Sequence, residues 1–318
     1  MSKSIKLLFS VLIAVLVVAA YLIANNTTPG PNPKLEESGG ISLHALSENE
    51  AQIVNASGVR WIRIDVSPEI DMAVKNAKAY DLKVLGILDS WMFNKNSNFT
   101  LEEWSSNVTH YVSQYTDYVD AWEIWNEPAN PEINNTLLNL TLPSQENMSK
   151  IVEFYSSMVK TASPIIREYD PTAKIVLFGG LNLWSGNDPH LELDMNFSSE
   201  LADKNIAQYG DAISVHAYPW SKTGETTVWQ RYDEALAYYS ELFALEIWVT
   251  ETGLSIDFEG ESAQAQYMHD ALPYFEGKVA KVFWYSLMDN AWEDKRFGLI
   301  DGETPRPAYY ELQKLLAK

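Results

Sequence analysis

The stretch DAWEIWNEPANPE, Asp120–Glu132, opens as an apolar run and breaks at Pro128, just after Asn126 and Glu127. Such a run reads as a buried strand, because proline cannot continue a central strand. It therefore sets an amide and a carboxylate side by side at a strand end.

Outward from it the same pattern recurs. Strand candidates are ISLHAL from Ile41, VRWIRIDVSPE (Val59–Glu69), KVLGILD (Lys83–Asp89), AKIVLFGG, DAISVHAYPW, LEIWVTETG and KVFWYSLMD. Helical stretches lie between them. In LEEWSSNVTHYVSQYTDYV, residues Leu101, Trp104, Val108, Tyr111, Tyr115 and Tyr118 fall on one stripe. With the opening stretch as the fourth, eight apolar strands alternate with helices over roughly 280 residues, which predicts an α/β fold of the (β/α)8 TIM-barrel type. The rival is an open doubly wound sheet. It would want a Gly-rich phosphate loop after an early strand, and SGGIS lacks the G-x-G-x-x-G spacing.

A barrel carries its chemistry at the C-terminal strand ends. Those ends hold His44; Arg63 and Asp65; Asp89 with Trp91; Asn126 and Glu127; Asn182 and Trp184; His216, Tyr218 and Trp220; Glu251; and Trp284 with Asp289 and Asn290. Glu127 and Glu251 each terminate an apolar run, on strands four and seven. Two carboxylates facing each other across a pocket are what glycosidic bond hydrolysis needs. The bland reading of either is a solvated loop residue.

WNEP after strand four and TETG after strand seven resemble the superfamily of retaining glycoside hydrolases on (β/α)8 barrels, most in the pattern of families 5 and 39. Arg63 in WIRID, His216 and Tyr218 in VHAYPW, and Trp284 in VFWYSLMD match further positions of that pattern. The resemblance runs from Ile41 to Leu316. It implies Glu127 as general acid/base and Glu251 as nucleophile. Substrate contacts are implied for Arg63, Asn126, His216, Tyr218 and Trp284. TETG departs from the family, where an aromatic often stands between Glu and Gly, and Trp125 stands where family 5 often has His. Trp91, Trp184, Trp220 and Trp292 are further candidates for stacking on sugar faces, and Asp89 for binding substrate. Core or loop anchoring is the bland reading for each. His44 and Asp65 have no assigned role.

The bulk numbers bound the rest. With 318 residues, 46% hydrophobic and 12% aromatic, disorder is excluded for most of the chain. A net charge of −20 speaks against nucleic acid as a partner. The absence of cysteine removes thiolate chemistry, and five histidines without an H-x-H on strand one make a metal-dependent hydrolase a poor fit. No cofactor is expected, and a Ser-His-Asp esterase would want a G-x-S-x-G elbow that is missing. A sugar-binding barrel without activity would be expected to lose one carboxylate.

Lys3 and Lys6 precede Leu7–Ala24, an apolar run with Ser10 alone polar, so residues 1–24 read as a membrane anchor or a signal sequence. Residues 25–40 read as a flexible linker and 41–318 as the catalytic domain. Nine N-x-Ser/Thr sequons in an exported chain fit a glycoprotein, or merely an Asn-rich composition. The expected place is the outer face of the membrane or the exterior, as a monomer. Eleven tryptophans and long loops favour an endo-acting β-1,4-glycanase, cellulase- or mannanase-like, on a β-linked polysaccharide; an exo-acting β-glycosidase, β-xylosidase- or β-galactosidase-like, is the alternative.

Overall fold

Alternate residues of each strand turn into the barrel, and this period of two builds it in layers. The computed structural model describes residues 34–94, 99–129, 145–183, 189–219 and 227–317, the side chains of 145–147 and 189–193 excepted. Strands β1 (Gly39–Leu43), β2 (Trp61–Asp65), β3 (Lys83–Leu88), β4 (Ala121–Ile124), β5 (Lys174–Asn182), β6 (Ala212–Ala217), β7 (Glu246–Thr252) and β8 (Lys281–Tyr285) close into a parallel barrel in sequence order. Helices α1 (Glu48–Ser57), α2 (Ile70–Ala79), α3 (Leu101–Tyr115), α4 (Gln145–Tyr169), α5 (Pro189–Asp203), α6 (Val228–Phe243), α7 (Glu261–Phe275) and α8 (Pro307–Leu316) follow the strands in turn. Local chemistry starts two of them. Ser47 with Glu50 and Thr100 with Glu103 form capping boxes at α1 and α3.

The lowest inward layer is apolar: Trp61, Leu85, Ala121, Val176, Ala212, Trp248, Ala280 and Phe283. Small alanines beside large rings let Trp61 pack edge-on against Trp248 at 5.6 Å and Phe283 at 6.4 Å. The next inward positions are polar and buried: Ser42, Arg63, Glu123, Ser214 and Thr250. The pocket opens above them. The strands' outward faces and the helices form the main core, which holds Trp104 and Trp122 as expected of packing residues.

The expected linker ends earlier than Gly40. Leu35–Ser38 forms a helical turn with Leu35 buried, and Gly39 already begins β1. Gly40 is there for space, since a Cβ on it would lie 2.5 Å from the Phe283 ring. The segment expected to be an anchor or signal, Leu7–Ala24, lies outside the described residues. Among the described residues no helix is long and apolar enough to cross a membrane.

Strand β4 stops abruptly for a backbone reason. Trp125 has φ 70° and Glu127 φ 46°, left-handed values that non-glycine residues seldom adopt. Neighbouring strands hold the kinks in place. The Trp125 amide donates to the Leu88 carbonyl at 2.9 Å, and the Glu127 amide to the Gly179 carbonyl at 2.7 Å. Tyr155 of α4 donates to the Ile124 carbonyl at 3.1 Å and accepts from the Phe178 amide at 2.5 Å. Gly179 has φ 51°, and a Cβ there would lie 1.9 Å from the Trp125 carbonyl oxygen. Gly179→Ala should therefore lower stability by on the order of 1–3 kcal/mol or more and displace the Asn126–Glu127 tip. Thermal unfolding and activity measured together check this, and a variant with unchanged melting temperature and activity would refute it.

Candidate active site

Strand β2 presents Trp61, Arg63 and Asp65 inward at successive heights, so Arg63 stands at the pocket floor. Its guanidinium is 2% exposed, and each of its three nitrogens donates. Nε donates to Glu123 at 2.5 Å, Nη1 to Glu251 at 2.6 Å and Ser42 at 3.2 Å, and Nη2 to Asn126 at 2.8 Å. Burial would weaken its charge, but Glu123 and Glu251 outweigh that and hold its pKa above the ordinary value.

Strict alternation along β7 would turn Trp248 and Thr250 inward and Glu251 outward. The pairing of β7 shifts register on both sides, between Val215 and His216 of β6 and between Val249 and Thr252 against β8. Such irregularities re-aim side chains. Here the shift brings Glu251 inward, where Tyr218 donates to its second oxygen at 2.6 Å. Glu251 is left 11% exposed, against 27% for Glu127.

His216 stands between the two carboxylates. Its Nδ1 lies 2.8 Å from Glu127 Oε1 and 3.6 Å from Glu251 Oε2. Burial pulls its pKa down, but Glu251 and the hydrogen bond with Glu127 win, and the net shift is upward. Among the described residues its buried Nε2 has no hydrogen-bond partner. The ring fills the space above Gly180, where a Cβ would lie 2.4 Å from it. Ligand atoms of Glu127, His216 and Glu251 all lie within 4.8 Å of one another, so the trio has the spacing of a metal site.

The cavity above measures about 440 Å³ and is lined by Ser42, His44, Arg63, Asp65, Asn126, Glu127, Tyr218, Glu251 and Tyr285, with Glu293–Lys295 and Phe297 from the loop after β8. That size suits a small ligand or one end of a larger one. Arg306 pins the loop by pairing with Asp289 at 2.6 Å and donating to the Gly298 carbonyl at 2.6 Å.

Of the expected site residues, the structure gathers Arg63, Asn126, Glu127, His216, Tyr218 and Glu251. Trp284 is not with them. It is fully buried on the outward face of β8, 6.0 Å from Tyr267 of α7, and the alternation turns Phe283 and Tyr285 inward instead. The aromatic group that β8 gives the pocket is Tyr285. Asp89 does not line the cavity; it caps the turn Ser90–Phe93 by accepting from the Trp91 amide at 2.9 Å. Trp91 and Trp292 flank His44 at 5.8 and 5.3 Å, and Trp292 is 59% exposed. Trp184 and Trp220 lie outside the described residues. Sequence reasoning missed Glu123, although a carboxylate at an inward position of a buried strand was a visible signal. It also missed Tyr285 and Glu293, whose signal was only their nearness to the end of strand eight.

Comparison with known proteins follows the same lines. The family described as glycosyl hydrolase catalytic core matches residues 183–304, a span that holds His216, Tyr218 and Glu251 but not Arg63 or Glu127. A search of curated proteins gave no match. Similar solved structures include a family 39 glycoside hydrolase of Bacteroides cellulosilyticus WH2, with 18% identity, TM-score 0.62, and coverage of 89% of this chain and 64% of that one. Bacteroides uniformis β-glucuronidase 2 has 12% identity and TM-score 0.65, covering 89% of this chain and 35% of that one. A β-glucosidase mutant derived from a hyperthermophilic tetramer has 13% identity and TM-score 0.64, covering 90% and 96%. The chain thus spans under two thirds of the first two relatives. The likeness extends across several kinds of glycosidase rather than to families 5 and 39 alone, and at these identities it establishes the fold.

Asp89 gives a pH test. Burial, then repulsion from Asp65, raises its pKa well above the ordinary value near 3.8. A raised folded pKa means stability falls as pH climbs through 3.8, because the unfolded chain ionises first. Asp89→Asn keeps the capping oxygen and removes the charge. It should raise the melting temperature near pH 7 and do so much less near pH 4. An equal change at both values would count against this.

Proposed function

We propose that this chain is a retaining β-glycosidase that removes sugar from the end of a β-linked substrate. The observation that carries the reaction is the approach of Glu127 and Glu251 carboxylate oxygens to within 4.8 Å. Retaining enzymes hold their carboxyl groups roughly 5–5.5 Å apart, and inverting enzymes leave about 6.5–9.5 Å for a water. Glu251, fixed by Arg63 and Tyr218, attacks the anomeric carbon. Glu127, more exposed and backed by His216, gives its proton to the departing oxygen. Glu127 then takes a proton from water, which attacks the same carbon and releases Glu251. Asn126, held by Arg63, is placed to donate to the sugar's 2-hydroxyl.

Action at a chain end is favoured over endo-cleavage by the compact cavity, and by the β-glucosidase and β-glucuronidase among the similar folds. The case for an endo-glycanase rested on tryptophans and loops. Of these, Trp284 is buried, while Trp184, Trp220 and residues 130–144 lie outside the described residues. We place the barrel outside the cell, held by Leu7–Ala24 or released by cleavage. Recovery of the full-length protein solely from the cytosolic fraction would refute that placement.

Glu251→Ala should lose activity by on the order of 10⁴-fold or more and be partly rescued by azide, giving the inverted glycosyl azide. Normal turnover would exclude its role as nucleophile. Glu127→Ala should slow substrates with poor leaving groups far more than activated aryl glycosides, and an equal loss on both would exclude the acid role. On short β-linked oligosaccharides the first product should be a monosaccharide. Early release of internal fragments would return the reading to endo-cleavage.

A further inference from the structure

The pocket that holds the carboxylate pair has a second group of polar lining residues that the proposed reaction does not use. His44, at the tip of β1, joins its members. Its Nδ1 lies 2.5 Å from Asp65 Oδ2 and its Nε2 lies 3.1 Å from the Tyr285 hydroxyl. That hydroxyl donates to Glu293 Oε1, and Asn290 Nδ2 donates to the same oxygen at 2.9 Å. Each carboxylate is thus fastened from behind through one oxygen. Among the described residues the other oxygen, Oδ1 of Asp65 and Oε2 of Glu293, has no hydrogen-bond partner, and both residues line the cavity. Trp91 and Trp292 against His44 supply the flat apolar flank beside them.

Ionised carboxylates only accept, so such a wall pairs with hydroxyl donors. A sugar carboxylate brought against it would need a cation, and the two set beside the wall, Arg63 and His44, are engaged. Arg63 is buried among Glu123, Glu251, Ser42 and Asn126. Both ring nitrogens of His44 are held by Asp65 and Tyr285. Lys295 also lines the cavity, but it is exposed, its ammonium is drawn to the Phe258 ring 4.9 Å away, and Asp294 beside it lines the cavity too.

Resting on the reading of this cavity as a β-glycosidase site, we propose that Asp65 and Glu293 are its specificity wall. They accept hydroxyl hydrogens of a neutral terminal sugar and exclude a uronic acid from the position over Glu127 and Glu251. The resemblance in fold to β-glucuronidases therefore does not carry their substrate to this chain. Rejection of the wrong substrate comes from like charges set where that substrate's carboxylate would sit.

The test is calorimetric binding of phenyl 1-thio-β-glucoside and phenyl 1-thio-β-glucuronide to the full-length protein. Neither ligand needs to be cleaved. The neutral ligand should bind about tenfold or more tightly, the size of effect that one unpaired charge produces. Asp65→Asn and Glu293→Gln, checked for an unchanged melting temperature, should each weaken binding of the glucoside and narrow the ratio. A glucuronide that binds as well as the glucoside would overturn the proposal, and so would a ratio unchanged in both folded variants. Hydrolysis of 4-nitrophenyl β-glucoside and β-glucuronide, measured in parallel, separates the two readings. Discrimination in binding with no hydrolysis upholds the wall and sinks the reaction; equal hydrolysis of both upholds the reaction and sinks the wall.

Discussion

One buried cation organises this barrel's active end. Arg63 donates to Glu123, Glu251 and Asn126 at once. Taking any of these charges out of water is costly unless it is paired. Glu123 is wholly buried, and among the described residues its Oε1 has no hydrogen-bond partner while its Oε2 is held by Arg63. Breaking such a pair from one side costs roughly 3–5 kcal/mol. The arginine thus ties the tips of β2, β4 and β7 together and fixes where Glu251 points. It joins stability to function, because the group that keeps the polar layer satisfied also positions the carboxylate over the pocket.

Regular strands alone would not build this site. A strict period of two turns Glu251 away from the pocket and carries β4 straight past it. Register shifts along β7 correct the first, and left-handed residues Trp125 and Glu127 correct the second. The unfavourable conformations persist because neighbours over-determine them, through Leu88, Gly179 and Tyr155. Departures from the regular pattern collect where the chemistry is, while the apolar layer below stays regular.

That division explains what was legible in the sequence. The barrel was, because eight apolar runs between amphipathic helices is a periodic signal, and so was the set of polar residues at strand ends. WNEP and TETG marked Glu127 and Glu251 because each interrupts such a run. Orientation was less legible. Trp284 and Tyr285 are neighbours in an aromatic segment, and a one-residue choice decides which of them meets the pocket. Gly39 and Gly40 read as linker because glycine is common in linkers, but Gly40 is needed for its lack of a side chain against Phe283. The loop after β8 carries no periodicity. Its place depends on Arg306 reaching back to Asp289, a contact that no local pattern announces.

The two carboxylates also differ in surroundings, independently of any resemblance. Both lie close enough to repel when ionised. Glu251 has a guanidinium on one oxygen and a tyrosine hydroxyl on the other, and is nearly buried. Those donors hold both of its oxygens in place. Glu127 has His216 on one oxygen and more than twice the exposure, so it can reach a departing group and then a water. A nucleophile must stay charged and still, whereas an acid must exchange a proton in both directions. The asymmetry agrees with the roles proposed above, in which Glu251 attacks and Glu127 moves the proton. The same packing leaves Glu127 the more exposed of the two, as the proposed proton carrier needs if it is to meet both a leaving sugar and an incoming water.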